Sequence, residues 1–278
     1  MSPDERSHRD VVRYQFAAQS ARFDESLHYL DAQDVVTWIS RNLQLRRHFS
    51  VLDVATGTGL LARAIAPNVR QVIGLDTTPE MLQIGEEQAQ NEALTNILFE
   101  EGVAEQLPYP NQSFDLVASR LAAHHFQHPL GPFQEMSRVC RLGGHVATID
   151  ITSSPDAEVA VIHNRLERLR DPSHTRAMHI DELRQFNEIS GLEITHTSQA
   201  DVVLDVERWM DLTNTEPQAR AAIRQAMEAE LAGGPPTGMR PLRKAEELMF
   251  VHAWAILVGR KVSSPPPVSN PRPRFPAR

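Results

Sequence analysis

The chain has 278 residues, 41% of them hydrophobic, and a formal net charge of -8. That length suits one large α/β domain, or one domain with additions, and the acidic balance argues against a protein built to bind nucleic acid. The single cysteine, Cys140, excludes an intrachain disulfide. The charged start and the absence of an apolar run near 18 residues give the expectation of a soluble cytoplasmic protein without a membrane span.

Residues 1–9 are polar and are expected to be mobile. From Asp10 to Asn42 apolar residues recur at helical spacing, which predicts two helices that break near Asp31. Residues 50–54 read as a buried strand that runs into Ala55-Thr56-Gly57-Thr58-Gly59 and a helix over 60–66. Strand two is expected over 71–76. Thr78, as cap, and Pro79, at the first helical position, then open a helix to about Ala93. Strands three and four are expected over 96–100 and 113–119. A helix over 132–139 carries a buried Cys140 in its pattern and is closed by Gly143-Gly144, and strand five covers 145–151. This alternation predicts a parallel sheet with helices on both faces.

The rhythm changes after Ser153. An amphipathic helix over 155–170 is interrupted by the loop Arg170-Asp171-Pro172-Ser173-His174-Thr175-Arg176, and a helix over 181–190 leads into strand six, 192–198. Residues 205–231 read as two helices that break near Glu216-Pro217, and 247–258 as the last strand. Six prolines in the sixteen residues from Ser263 give an extended tail.

Gly57 and Gly59 would let backbone approach a ligand without a Cβ clash, or would simply make a tight strand–helix turn. Asp76, at the next strand end, suits a ribose diol. Gly57-Thr58-Gly59-Leu60-Leu61-Ala62 satisfies G-x-G-x-x-A, so a nicotinamide dinucleotide and S-adenosylmethionine both fit the turn itself. Asp53, just ahead of the glycines, would repel a pyrophosphate but would suit the cationic methionine end of S-adenosylmethionine.

Several segments then resemble, in order, the motifs of class I S-adenosylmethionine-dependent methyltransferases. Val51–Gly59 resembles motif I. Gly74-Leu75-Asp76-Thr77-Thr78-Pro79-Glu80-Met81-Leu82 follows, then Gly102-Val103-Ala104-Glu105-Gln106-Leu107-Pro108 with Ser113-Phe114-Asp115-Leu116-Val117. Ser119-Arg120-Leu121-Ala122-Ala123-His124-His125-Phe126 and Arg138–Gly144 complete the set. They are similar to the methyltransferase type 11, or ubiquinone/menaquinone-biosynthesis-like, family. The resemblance implies a Rossmann-like, seven-stranded, mostly parallel sheet with an N-terminal helical lid and a helical insertion after strand five. It implies a lid over 1–45, a cofactor core over 46–153 and an insertion over 154–191. The rest of the sheet, with acceptor-pocket helices, falls in 192–262, ahead of a disordered tail over 263–278.

The resemblance also implies site residues. Asp53, Ala55, Thr56, Gly57 and Gly59 would surround the methionine part of S-adenosylmethionine, and Asp76 the ribose hydroxyls. Thr77 and Met81 would lie against sugar and adenine, Val103, Ala104 and Glu105 beside the adenine, and Arg120 under the methionine end. Ala55 stands where a glycine is commoner, and Val103 where the family has an aspartate. Tyr14, Phe16, Gln19 and Phe23 would form the lid, or merely the packing face of an amphipathic helix. For proton removal, His125, His124 and His174 are the candidates, each with the alternative of a structural role. His124, His125, His128 and His145 lack the thiols or helix-spaced pair of a metal site, so no metal is expected. The implied partner is a small-molecule methyl acceptor, with no nucleic acid and no membrane, and a homodimer is compatible with these features. A cofactor-binding protein without methyl transfer (a cyclase or regulatory binder) and an NAD-dependent oxidoreductase are the alternative functions.

Overall fold

Residues 8–19 and 32–262 are described by the computed structural model, with side-chain detail from residue 35 in the second stretch. Helix α1 covers residues 8–19 and α2 Ala32–Asn42. Alternation begins with β1 (Ser50–Val54), α3 (Leu60–Ile65), β2 (Gln71–Asp76), α4 (Pro79–Asn91), β3 (Ile97–Glu101) and β4 (Phe114–Arg120). It continues through α5 (Leu130–Val139) and β5 (Cys140–Ile151). Helices α6 (Ala157–Arg170) and α7 (Ile180–Ile189) precede β6 (Leu192–Asp205), and α8 (Val206–Leu212) and α9 (Pro217–Leu231) precede β7 (Leu242–Lys244) and β8 (Glu247–Lys261).

The strand order is β3-β2-β1-β4-β5-β8-β6, with β7 paired to β8. Strands β1 to β5 are parallel, and β8 enters antiparallel between β5 and β6. The chain steps outward from β1 to β3, then crosses to β4 on the other side of β1. That switch opens a crevice at the carboxyl ends of β1 and β4, where open α/β sheets bind ligands.

Burial explains why β1 is central. Val51 packs with Ile65, Ile149 and Trp254 on one face, while Leu52 and Val54 pack with Leu75, Val117 and Val146 on the other. A strand alternates its side chains, so an unbroken apolar run with both faces covered is the mark of an interior parallel strand. Each such side chain contributes about 1.5–3 kcal/mol on burial.

The α/β class, the mostly parallel sheet and its helices on both faces stand as expected, but among the described residues the strands number eight rather than seven. The added β7 is three residues long and contains Arg243 and Lys244, too short and too charged to show alternation. Strand β6 runs on to Asp205, past the expected Ser198. Val202 and Leu204 are buried there, and the polar stretch before them hides the period. Cys140 is buried but opens β5 rather than lying in a helix. Gly143, at φ +72°, sits where the β4–β5 register shifts, so the glycine pair kinks a strand instead of closing α5. Helix α1 begins at residue 8, inside the stretch expected to be mobile. The expected break near Asp31, the position of Phe23 and the tail from Ser263 lie outside the described residues.

Candidate functional site

A cavity of about 590 Å³ opens at the switch point. Its floor is the turn after β1. Ala55 and Gly57 there both adopt left-handed backbone, with φ of 55° and 57°. The Gly57 N–H donates to Asp76 Oδ2 at 2.8 Å, and the Thr78 N–H donates to Asp76 Oδ1 at 2.9 Å. These bonds lock the β1 and β2 ends together and hold the Asp76 carboxylate at the cavity edge. A Cβ added at Gly57 would meet no atom within 4 Å, so this glycine leaves an open cradle. Gly59 is different. At φ +75°, an added Cβ would come within 2.6 Å of the Phe99 ring, so this glycine serves the packing of α3 against β3.

Asp53 lies beneath the cradle, 1% exposed, and accepts from the Thr56 hydroxyl at 2.6 Å. Its Oδ1 has no hydrogen-bond partner among the described residues. Burial pushes its carboxyl up to about 6, against the pull of Thr56 and of the Arg120 guanidinium. Arg120, at the end of β4, is lowered by burial, and the charges of Asp53 and Asp150 resist that shift. The wall is the turn Gly102–Gln106, in which Val103 bridges to Gln106. Helix α1 forms the roof with His8, Arg9, Val12 and Phe16, and Arg9 Nη2 sits 3.5 Å from Glu105 Oε2.

A further part of the lining comes from the 3-10 turn Ala123–His125 and from Phe126, Gln127 and His128 after it. Leu121, at φ 51°, turns the chain out of β4 to make it. The His125 ring meets the Phe16 edge at 5.1 Å between centroids. Its Nδ1 faces the Ser173 carbonyl at 3.0 Å and the Ser173 hydroxyl at 3.2 Å. That hydroxyl gives its proton to Asp171 Oδ1 at 2.6 Å, so both groups facing Nδ1 are acceptors. Nδ1 therefore carries the proton, and the lone pair is on Nε2. Burial, then the charge of His124, lowers this imidazole to about 4, so it is neutral at pH 7.

His124 and His174 do not line the cavity. His124 Nδ1 donates to Asp150 Oδ1 at 2.5 Å. Burial works against its charge, but the Asp150 carboxylate raises it overall. His174 Nε2 donates to Asn164 Oδ1 at 2.9 Å, and burial lowers this ring to about 2.

Of the residues singled out in the sequence, the cavity brings together Ala55, Thr56, Gly57, Asp76, Thr77, Val103, Ala104, Glu105, Arg120, Phe16 and His125. Asp53, Gly59 and Met81 lie behind its surface, Met81 at 0% exposure. Gln19 is buried and Tyr14 is 72% exposed. His8 and Arg9 went unrecognised because their stretch is polar; only Val12, in the helical pattern, signalled that this segment packs. Gln127 and His128 follow a recognised motif but carry no pattern of their own.

Residues 52–148 fit the type 11 family described as a methyltransferase domain. The uncharacterized methyltransferase YcgJ of Bacillus subtilis is 29% identical over 195 residues, 70% of this chain and 77% of the relative. Its crystal structure aligns with a TM-score of 0.75 at 26% identity, covering 83% of this chain and 99% of that one. The demethylmenaquinone methyltransferase of Porphyromonas gingivalis is 35% identical over 122 residues, and the chain spans half of its length. A putative methyltransferase of Bacillus halodurans aligns with a TM-score of 0.76 at 25% identity over 82% of this chain and 99% of its own. The chain therefore carries a methyltransferase domain over residues 52–148, set in a fold that it shares with these methyltransferases.

Proposed function

We propose that this protein binds S-adenosylmethionine at the Gly57–Asp76 cradle and transfers its methyl group to an oxygen, nitrogen or carbon of a small molecule seated toward His125. The observation that carries the reading is one cavity lined by two unlike sets of groups: an open glycine cradle backed by carboxylates, and a neutral imidazole with its lone pair on Nε2.

The residues present fit the cofactor. The cradle at Gly57 leaves room that any side chain would occupy, and Asp53 Oδ1 is a buried acceptor without a partner among the described residues. In this reading Asp76 takes the ribose hydroxyls, and Thr77, Val103, Ala104 and Glu105 flank the sugar and base. Asp53 and Arg120 face the methionine end, directly or through water. Bound there, the cofactor supplies a methyl group activated by a sulfonium.

The protein's own contribution is placement and exclusion of water. Val12 and Phe16 cover the cavity from above, which strengthens attraction between a buried cation and the carboxylates below it. Held in line, an acceptor gains mainly from proximity. His125 Nε2 receives a proton when the acceptor must lose one, and the Ser173–Asp171 contacts hold the ring for this. Demethylmenaquinone is the acceptor named for several relatives, which makes a quinol-like phenol or a ring carbon the first acceptor to try.

The test is isothermal titration with S-adenosylhomocysteine and with NAD, followed by mass-spectrometric search for a methylated product across phenols, amines and quinols. Binding of S-adenosylhomocysteine and one methylated class of product are expected. Binding of NAD alone, or cofactor binding with no methylated product, would overturn the proposal.

A further inference from the structure

We infer that His163, Glu167 and His252 form a binding site for one divalent transition-metal ion of the zinc type, separate from the cavity. One ligand atom from each lies within 4.8 Å of the other two, and none of the three lines the cavity. His163 and Glu167 stand one turn apart on α6 and so share a face, and His252 meets them from β8. All three are more than nine-tenths buried.

A second observation points to a missing ligand. Glu167 Oε1 accepts from His252 Nε2 at 2.7 Å. His163 Nε2 lies 3.6 Å from the same oxygen, too far for a hydrogen bond, and neither of its ring nitrogens has a partner among the described residues. An ionised carboxylate in such an interior needs a cation beside it. A proton on His252 would supply one but would leave His163 still unpartnered. A metal ion would engage all three side chains at once. Two imidazoles and one carboxylate are a donor set that zinc takes, with a fourth position open to water. The rings of Phe250 and Trp209, 4.9 and 6.2 Å from that of His252, wall the place on one side.

The site would bear on the cavity through the neighbour of His163. Asn164 Oδ1 accepts from the Ala177 N–H at 2.6 Å and from His174 Nε2, which holds the loop that sets Ser173 against His125. An ion joining α6 to β8 would fix the helix from which that loop hangs.

The full chain, dialysed against EDTA, is titrated with Zn²⁺ and then with Co²⁺ as an absorbing probe. One equivalent should bind, with Co²⁺ visible bands of low-symmetry coordination and a rise of several degrees in the thermal midpoint on adding Zn²⁺. Glu167→Gln and His252→Gln should each weaken Zn²⁺ binding at least tenfold while S-adenosylhomocysteine binding persists. Zn²⁺ affinity unchanged in both variants overturns the site. Should the variants fail to fold, the unaltered chain decides: no thermal shift with one equivalent of Zn²⁺ overturns the site equally.

Discussion

Alanine at Gly57 and alanine at Gly59 should fail in different ways, although both glycines sit in one turn. Each holds a left-handed backbone, at φ +57° and +75°, and a β-carbon there costs about 1–2 kcal/mol. Restricting the unfolded chain returns about 0.4–1 kcal/mol of that. At Gly57 nothing else is added, because the new methyl would stand in open space within the cavity. At Gly59 it would come within 2.6 Å of Phe99 Cε1 and Cζ, and forcing atoms into a packed contact adds about 1–3 kcal/mol. Gly57→Ala should therefore lose about 1 kcal/mol in urea unfolding, and Gly59→Ala about 2–4 kcal/mol. Phe99→Leu should restore part of the second loss, since it shortens the ring that is struck. Ligand affinity should run the other way. Calorimetric titration with S-adenosylhomocysteine should show a loss of about tenfold or more for Gly57→Ala, equivalent to about 1.4 kcal/mol. Gly59→Ala, once folded, should bind within about threefold of the unaltered chain, a difference of under about 0.7 kcal/mol. Equal stabilities for the two variants, or undiminished affinity in Gly57→Ala, would refute the division of labour.

Ala55 holds the same left-handed backbone without being glycine, at φ 55°. Ala55→Gly should relieve about 1–2 kcal/mol and lose about 0.4–1 to the freer unfolded chain, so the thermal midpoint should rise by a few degrees at most; a clear fall would contradict the strain. His125 is lowered to about 4, below its unfolded value near 6.5. The unfolded chain therefore binds more protons in that interval, and this contribution to stability is present above pH 6.5 and lost as pH falls toward 4. It is at most roughly 3 kcal/mol, from about 1.4 kcal/mol per unit. His124, raised by Asp150 over the opposing burial, acts in the opposite sense: its contribution is full below 6.5 and fades as pH climbs through its folded value. Urea unfolding of His125→Gln between pH 7 and 4.5 should thus show a shallower acid loss than the unaltered chain. With S-adenosylmethionine and acceptor saturating, so that Asp53 faces the cofactor's positive charge, kcat should stay level from neutrality to about pH 5; an acid limb at 6.5 would mean that His125 is not so buried in solution.

The glycine cradle was the legible part of the cavity, for a physical reason. Its residues sit on strand ends, and Asp53, Gly57, Asp76 and Arg120 are each a fixed number of residues from a buried apolar run that announces itself by composition. Even so, sequence alone did not separate Gly57 from Gly59. Only the position of Phe99, on a strand forty residues away, tells cradle from packing. Of His124 and His125, the sequence favoured His125 on the ground that adjacent residues point apart. Their roles part because successive residues of a tight turn point apart, one to Asp150 and the other to Ser173 at the cavity edge. The His163–Glu167–His252 cluster was invisible because its third member arrives by antiparallel pairing of β8, 85 residues after Glu167.

The part of the cavity around His125 resisted reading because no strand builds it. Its parts are α1, the turn after β4 and the loop before α7, and they hold one another. His8 Nε2 donates to the His125 carbonyl at 2.8 Å, and the Thr175 hydroxyl donates to the same oxygen at 3.2 Å. The Thr175 and Arg176 N–H groups both donate to the His124 carbonyl, at 2.9 and 3.1 Å. The turn is thus gripped twice by the loop through buried backbone, while α1 is joined to it by His8. Single hydrogen bonds of that kind contribute only about 0.5–1.5 kcal/mol net. The loop–turn grip, with Asp171 and Asn164 behind it, is the part that keeps His125 aimed. The roof adds the ring contact of Phe16 with His125 and the half-exposed Arg9–Glu105 and Arg13–Glu101 pairs, which contribute little in water.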